Sequence, residues 1–125
     1  MNNDLEPYFK SILDFFEKSS IDIKPYPKIK LITTEQDGPF APTGNYRFET
    51  KTITLYTGGR HLKDILRSFA HELFHHYQFL HNKALKKKQL DGSLEQNEEL
   101  EDLEGEAYLN GNLLFRRWTE MFTNQ

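Results

Sequence analysis

The sequence predicts one α+β domain spanning residues 1–125, with an N-terminal helix, a small three-stranded sheet that is at least partly antiparallel, and two later helices. Apolar residues recur at helical spacing near both ends of the chain and after residue 62, whereas they alternate with period two between residues 28 and 56. A length of 125 residues suits a single compact core. We therefore expect the sheet and the two later helices to share that core.

The N-terminal helix is predicted to begin after Asp4, which suits an N-cap, and to end at Ser19-Ser20. The apolar residues of this segment fall on one helical face: Leu5, Phe9, Ile12, Leu13 and Phe16. Three short segments rich in β-branched and aromatic residues then predict strands: Lys28–Thr33, Asn45–Glu49 and Thr52–Tyr56. The short Thr50-Lys51 link predicts that the last two strands form a hairpin.

The segment TGGR ends the strand pattern, and a second helix is predicted from Leu62 to about Leu80. The polar segment HNKALKKKQLDGS follows it as a predicted loop. Ser93 and Gln96 have the spacing of a capping box, which predicts the start of a third helix running to about Phe122.

Composition excludes several classes of function. The chain has no cysteine, which excludes disulfides, thiolate metal sites and a cysteine nucleophile. A net charge of -3 does not favour nucleic acid as a partner. No apolar run reaches the roughly 18 residues of a membrane span, and the acidic, polar N-terminus is unlike a signal peptide. We therefore expect a cytoplasmic protein without a membrane partner, although the lack of cysteine leaves export open. The sequence does not decide the oligomeric state, for which a homodimer is one alternative.

The second helix carries the motif HELFH, which matches H-E-x-x-H. This composition gives such a match by chance in roughly one chain in fifty. His71 and His75 are four residues apart, so both imidazoles point to one side of the helix and can bind one metal ion, while Glu72 flanks them where a general base belongs. The alternative is that both histidines are hydrogen-bonded to backbone groups inside the core.

The remaining histidines are not predicted to bind metal. His76 points about 140° away from His71, so we expect it to be packed or hydrogen-bonded in the apolar side of the helix. His61 and His81 lie near the helix ends and are expected at the surface.

A catalytic zinc ion usually has three protein ligands, and the two histidines leave one to be found. Helical periodicity predicts a buried face on the third helix composed of Leu100, Leu103, Ala107, Gly111, Leu114, Trp118 and Met121. Glu104 falls within this face, whereas Glu99, Glu101 and Glu106 do not. A buried carboxylate is costly unless it is compensated, so Glu104 is the predicted third ligand. Gly111 is expected to let the two helices approach closely.

The segment LEGEAYLNGNLLF after an HExxH helix resembles the glutamate helix of gluzincin metallopeptidases, whose third ligand is often the first Glu of an E-x-E-A segment, here Glu104. The size and element order are also similar to those of the minigluzincins, very small soluble archaeal peptidases of this clan. The resemblance covers Leu31 to about Trp118. It implies that a peptide lies beside an edge strand, for which NYRFE is the first candidate. Tyr108 stands where some gluzincins have Asp.

These observations favour a zinc-dependent metallopeptidase in which Zn²⁺ is held by His71, His75 and Glu104, and Glu72 is the general base for a metal-bound water. Its partner would be a peptide or protein substrate. A second hypothesis is a zinc-binding regulatory module that is catalytically weak or autoinhibited. A third is a structural domain in which the motif is accidental.

Overall fold

A computed structural model of the chain describes residues 5–36, 38–39, 41–81 and 98–123. Within these ranges it contains three helices and one three-stranded sheet. The elements in chain order are α1 (Glu6–Lys18), β1 (Lys28–Ile32), β2 (Gly44–Arg47), β3 (Thr52–Tyr56), α2 (Leu62–His81) and α3 (Glu98–Thr123). The predicted α+β fold is therefore confirmed, while the predicted loop and capping box before α3 lie outside the described residues.

The sheet is mixed, with the order β1-β3-β2. β1 pairs with β3 in parallel, and β2 pairs with β3 antiparallel, which confirms the predicted hairpin. The hairpin turn covers residues 48–51 and is longer than the predicted Thr50-Lys51 link. Within it Lys51 takes a positive φ of 51°, and its N–H donates to the Phe48 carbonyl at 3.2 Å. Within the described residues β2 pairs only with β3, and none of their strands pairs with its other edge.

The core lies between one face of the sheet and the three helices. Strand β3 has the clearest period-two pattern, because Ile53 and Leu55 are fully buried while Thr52, Thr54 and Tyr56 are only partly covered. Helix α2 supplies more buried residues to the main apolar cluster than any other element: Ile65, Leu66, Phe69, Ala70, Leu73 and Phe74. The HExxH helix is thus fixed by burial along most of its length.

Helices α2 and α3 approach closely at Gly111, as the sequence predicts. A Cβ atom placed on Gly111 would lie only 3.1 Å from the Cα atom of His71. Helix α3 is also joined to α1, because the Trp118 indole Nε1–H donates to Ser11 Oγ at 2.9 Å. These contacts fix where α3 lies relative to the HExxH motif.

The prediction that Met121 is buried is wrong, because its exposed fraction is 53%. Near its C-terminal end α3 packs towards α1: the rings of Trp118 and Phe122 stack with centroids 5.0 Å apart, and Phe122 contacts Tyr8. This shift in the packing partner leaves Met121 on the outer side of the helix. No helix in the described part of the chain has both the length and the apolar composition needed to cross a membrane.

Candidate metal centre

The three predicted metal ligands lie together in the structure. His71 and His75 are one turn apart on α2, and their rings are 4.9 Å apart between centroids. Glu104 reaches them from α3: its Oε1 lies 3.0 Å from His75 Nε2 and 3.3 Å from His71 Nε2. One ligand atom from each residue lies within 4.8 Å of the other two. Two helices distant in sequence therefore converge on one small volume.

These separations suit a tetrahedral zinc ion. Bonds of about 2.0–2.1 Å in tetrahedral geometry place neighbouring ligand atoms about 3.3 Å apart. The two distances from Glu104 Oε1, 3.0 and 3.3 Å, are close to that separation. Two imidazoles and one carboxylate also form a donor set used by catalytic zinc, which leaves one coordination position open. The residues present therefore fit the metal predicted from the sequence.

The prediction that Glu104 is buried is wrong in one respect, because its side chain is 57% exposed. Leu103 and Ala107 on the same helix are buried, so the backbone of Glu104 lies at the border of the packed face of α3. From that border the carboxylate extends across to the histidines of α2. Its pKa is lowered, chiefly because it accepts a hydrogen bond from His75, with the charges of both histidines adding to the effect.

Glu72 has a different environment. It is only 7% exposed and is not one of the three clustered ligand residues. Burial raises its pKa from 4.5 to about 7, which the nearby His75 partly counteracts. Gly44 on strand β2 packs beside it, since a Cβ atom there would lie 3.5 Å from Glu72 Cγ. Glu72 is thus a carboxyl group whose protonation changes near neutral pH.

The two candidate histidine ligands also differ in their pKa values. Burial lowers the pKa of His71, and the charge of His75 lowers it further. Burial also lowers the pKa of His75, but its hydrogen bond to Glu104 and the charge of Glu72 together raise it above the ordinary value. His75 is therefore the histidine at which protons compete more strongly with a metal ion.

Sequence reasoning missed Gln78, which lies on α2 three residues after His75. Gln78 is 5% exposed, and its Oε1 lies 2.8 Å from His75 Nδ1. Its amide Nε2 donates to the Leu103 carbonyl at 3.1 Å and to Glu106 Oε1 at 2.8 Å. A lone amide among the apolar residues at the end of α2 was the only sequence signal that could have indicated it.

His76 is not part of the cluster, as predicted. It is fully buried, and its Nε2–H donates to the carbonyl groups of Ile23 and Pro25 at 3.1 and 2.8 Å. Its Nδ1 then accepts a hydrogen bond from the Tyr46 hydroxyl at 2.8 Å. His76 therefore joins α2 to β2 and to the segment after α1. His61 and His81 are exposed, as predicted.

Two cavities border the site. One has a volume of about 220 Å³ and lies between β2 and the two helices, with Tyr46, Phe79 and Leu103 among its walls. The other has a volume of about 300 Å³ and is more polar, with Arg67 and Asn112 among its walls. Gly44, Glu72 and Glu104 line both cavities. The candidate general base therefore faces the space on both sides of the ligand cluster.

Tyr108 lies beside this cluster but is mostly exposed, with a ring centroid 5.5 Å from that of His71.

Comparison of the chain with models of known protein families, with curated proteins and with solved structures found no match.

Proposed function

We propose that this chain is a zinc-dependent metallopeptidase that hydrolyses peptide bonds. The single observation that carries the proposal is that one ligand atom from each of His71, His75 and Glu104 lies within 4.8 Å of the others, while the buried Glu72 lies beside them and lines both cavities. When bound, zinc supplies Lewis-acid polarisation of the peptide carbonyl and acidifies water.

Glu72 is assigned as the general base. It takes a proton from the attacking water and transfers that proton to the leaving amine. A pKa of about 7 supports this role, since a general base is most effective when its pKa lies near the working pH. The position of Glu72 outside the ligand cluster leaves its carboxylate available for the proton.

The edge of β2 that has no strand partner among the described residues is assigned as the substrate-binding edge. An extended peptide can pair with an unpaired strand edge through backbone hydrogen bonds. Gly44, Asn45 and Tyr46 on β2 line the cavity that also contains Glu72 and His75. A peptide paired along β2 would therefore pass the ligand cluster. The substrate proposed for this edge is a peptide or protein.

A specific observation favours a second candidate, a zinc-binding regulatory module with weak or no hydrolysis. The bordering cavities, about 220 and 300 Å³, lie at or below the lower end of the roughly 300–1,000 Å³ typical of ligand pockets. Such a module would keep His71, His75 and Glu104 as ligands and would not need Glu72. The cytoplasmic location stays a prediction, and the homodimer stays one alternative for the oligomeric state.

Zinc-loaded wild type and Glu72→Gln, purified without a histidine tag, should be incubated with a mixed peptide library and the products identified by mass spectrometry. We expect wild type to cleave and Glu72→Gln to retain zinc but lose about 100-fold or more of the rate, because an amide cannot take the proton. Comparable cleavage by the variant would remove Glu72 as the base. Zinc binding by wild type without cleavage would favour the regulatory module.

A further inference from the structure

The buried amide of Gln78 connects the two helices that carry the candidate ligands. On α2 its Oε1 contacts His75 Nδ1 at 2.8 Å, and on α3 its Nε2 contacts the Leu103 carbonyl and the Glu106 carboxylate. All of these contacts lie within normal hydrogen-bond distances. One side chain thus joins a candidate histidine ligand to the helix that carries Glu104.

The orientation of this amide is determined by its partners. The Leu103 carbonyl and the Glu106 carboxylate can only accept, so the group that faces them must be the NH₂ of Gln78. Its oxygen is then directed at His75 Nδ1, and an amide oxygen can only accept. His75 Nδ1 must therefore carry a proton. Nε2 lies 3.0 Å from Glu104 Oε1: in the protonated imidazole it donates to that carboxylate, and in the neutral imidazole it is left with the lone pair that a metal ion needs.

The contact on α3 also bears on the third ligand. Leu103 immediately precedes Glu104, so a hydrogen bond to the Leu103 carbonyl restrains the backbone next to that carboxylate. Glu104 itself is 57% exposed and has little packing to hold it in place. The Gln78 amide therefore restrains the backbone next to Glu104 and determines which ring nitrogen of His75 carries the proton.

We infer that Gln78 is a positioning residue that selects the zinc-binding tautomer of His75 and holds the Glu104 segment of α3 against it. This inference rests on the proposed zinc site. It predicts that Gln78 contributes to zinc affinity without contacting the metal, because a lost hydrogen-bond partner of a histidine ligand typically costs about 10–100-fold in metal affinity.

The test is the zinc affinity of wild type and Gln78→Met, measured by chelator competition on folded, metal-free protein. Met has nearly the same volume but supplies neither the oxygen nor the NH₂ group. We expect Gln78→Met to lose about 10–100-fold in affinity. An affinity within a factor of two of wild type would overturn the inference, even if the variant unfolds at a lower temperature, because a merely structural residue would change only stability.

A second variant keeps the test decisive if Gln78→Met folds poorly. Gln78→Glu combined with Glu106→Gln retains an acceptor oxygen for His75 and restores a donor–acceptor pair between positions 78 and 106, but it leaves the Leu103 carbonyl without its side-chain donor. We expect this double variant to bind zinc more tightly than Gln78→Met and less tightly than wild type, because the partner of the imidazole is kept while the restraint on Leu103 is lost. A loss as large as that of Gln78→Met would show that the acceptor at His75 is not what matters, and would overturn the inference.

The tautomer gives a readout that is independent of hydrolysis. In zinc-loaded, ¹⁵N-labelled wild type, imidazole nitrogen spectra should show His75 bound through Nε2 with a proton on Nδ1. Binding through Nδ1 would overturn the inference while leaving the zinc site in place. A wild type that binds no zinc would overturn both the inference and the proposed function, so the two failures are distinguishable.

Discussion

At the scale of single residues, Glu72 and Glu104 are two carboxylates beside the same pair of histidines, and their pKa values move in opposite directions. Burial raises the pKa of Glu72 to about 7, whereas hydrogen bonding from His75 lowers that of the more exposed Glu104. Glu104 is therefore ionised at neutral pH and suited to bind a cation. Glu72 is suited to exchange a proton.

The first residue-scale prediction concerns zinc and pH. Zinc needs neutral imidazoles and an ionised carboxylate, and the raised pKa of His75 increases the competition from protons as pH falls. We expect zinc occupancy and turnover to decrease together below about pH 6. Equilibrium dialysis between pH 4 and 8 measures the occupancy. Full occupancy and unchanged turnover at pH 4 would contradict this prediction.

The second prediction concerns the stability of the metal-free chain. The folded-state pKa of Glu72 lies above its ordinary value, so its contribution favours the folded chain below about pH 4.5 and is lost as pH rises through about 7. Ionising Glu72 at pH 8 costs on the order of 3 kcal/mol in the folded chain. Glu72→Gln should therefore raise the melting temperature at pH 8 by several degrees, with a much smaller change at pH 5.

Thermal melts in the presence of a chelator measure this effect. Glu120→Gln removes a charge from an exposed position of α3 and is the matched control, for which we expect little change at either pH. If Glu72→Gln were equally destabilising at pH 5 and pH 8, the buried carboxyl would not be the source of the pH dependence.

At the scale of the elements, the site depends on how closely α2 and α3 approach. Gly111 permits that approach, since any Cβ would meet the backbone of His71 at 3.1 Å. Gly105 lies on the same helix, but a Cβ there would have no atom within 4 Å. The two glycines therefore form a matched pair that separates helix propensity from helix packing.

We predict that Gly105→Ala stabilises the metal-free chain by about 0.5–1 kcal/mol, because alanine is the better helix former. Gly111→Ala should lack that gain, destabilise the chain and weaken zinc binding, because the His71 backbone must move. Chemical denaturation and chelator competition measure the two effects. Equal stabilisation by both substitutions would show that Gly111 is not a packing requirement.

The element boundaries follow largely from the sequence, because each helix or strand has its own apolar period. The sequence predicts α2 from Leu62 to about Leu80, and the structure has it from Leu62 to His81. The reach of individual side chains cannot be predicted in this way. A helical wheel directs Glu104 towards α2, as the predicted third ligand requires, but it does not show that the side chain extends from the packed face and is 57% exposed. The contacts of Gln78 follow no motif spacing, so the sequence does not predict them either.

At the scale of the whole molecule, the strand order brings the edge strand β2 beside the HExxH helix. The short link between β2 and β3 predicts their hairpin, but it does not predict that β3 is the central strand. The pairing of β1 with β3 joins segments separated by a long connection, for which local sequence gives no register. The complete burial of Ile53 and Leu55 is the packing consequence of that central position.

We propose that a carboxylate from α3 completes a zinc site on α2. Zinc affinity of wild type, Glu104→Gln and Glu106→Gln, measured by chelator competition, tests it most directly. We predict that Glu104→Gln loses more than about 100-fold, beyond the loss typical of a supporting hydrogen bond, because an anionic ligand is removed. Glu106→Gln should remain within a few-fold of wild type, because its amide oxygen can still accept from Gln78. Wild-type affinity in Glu104→Gln with a large loss in Glu106→Gln would show that Glu104 is not the third zinc ligand.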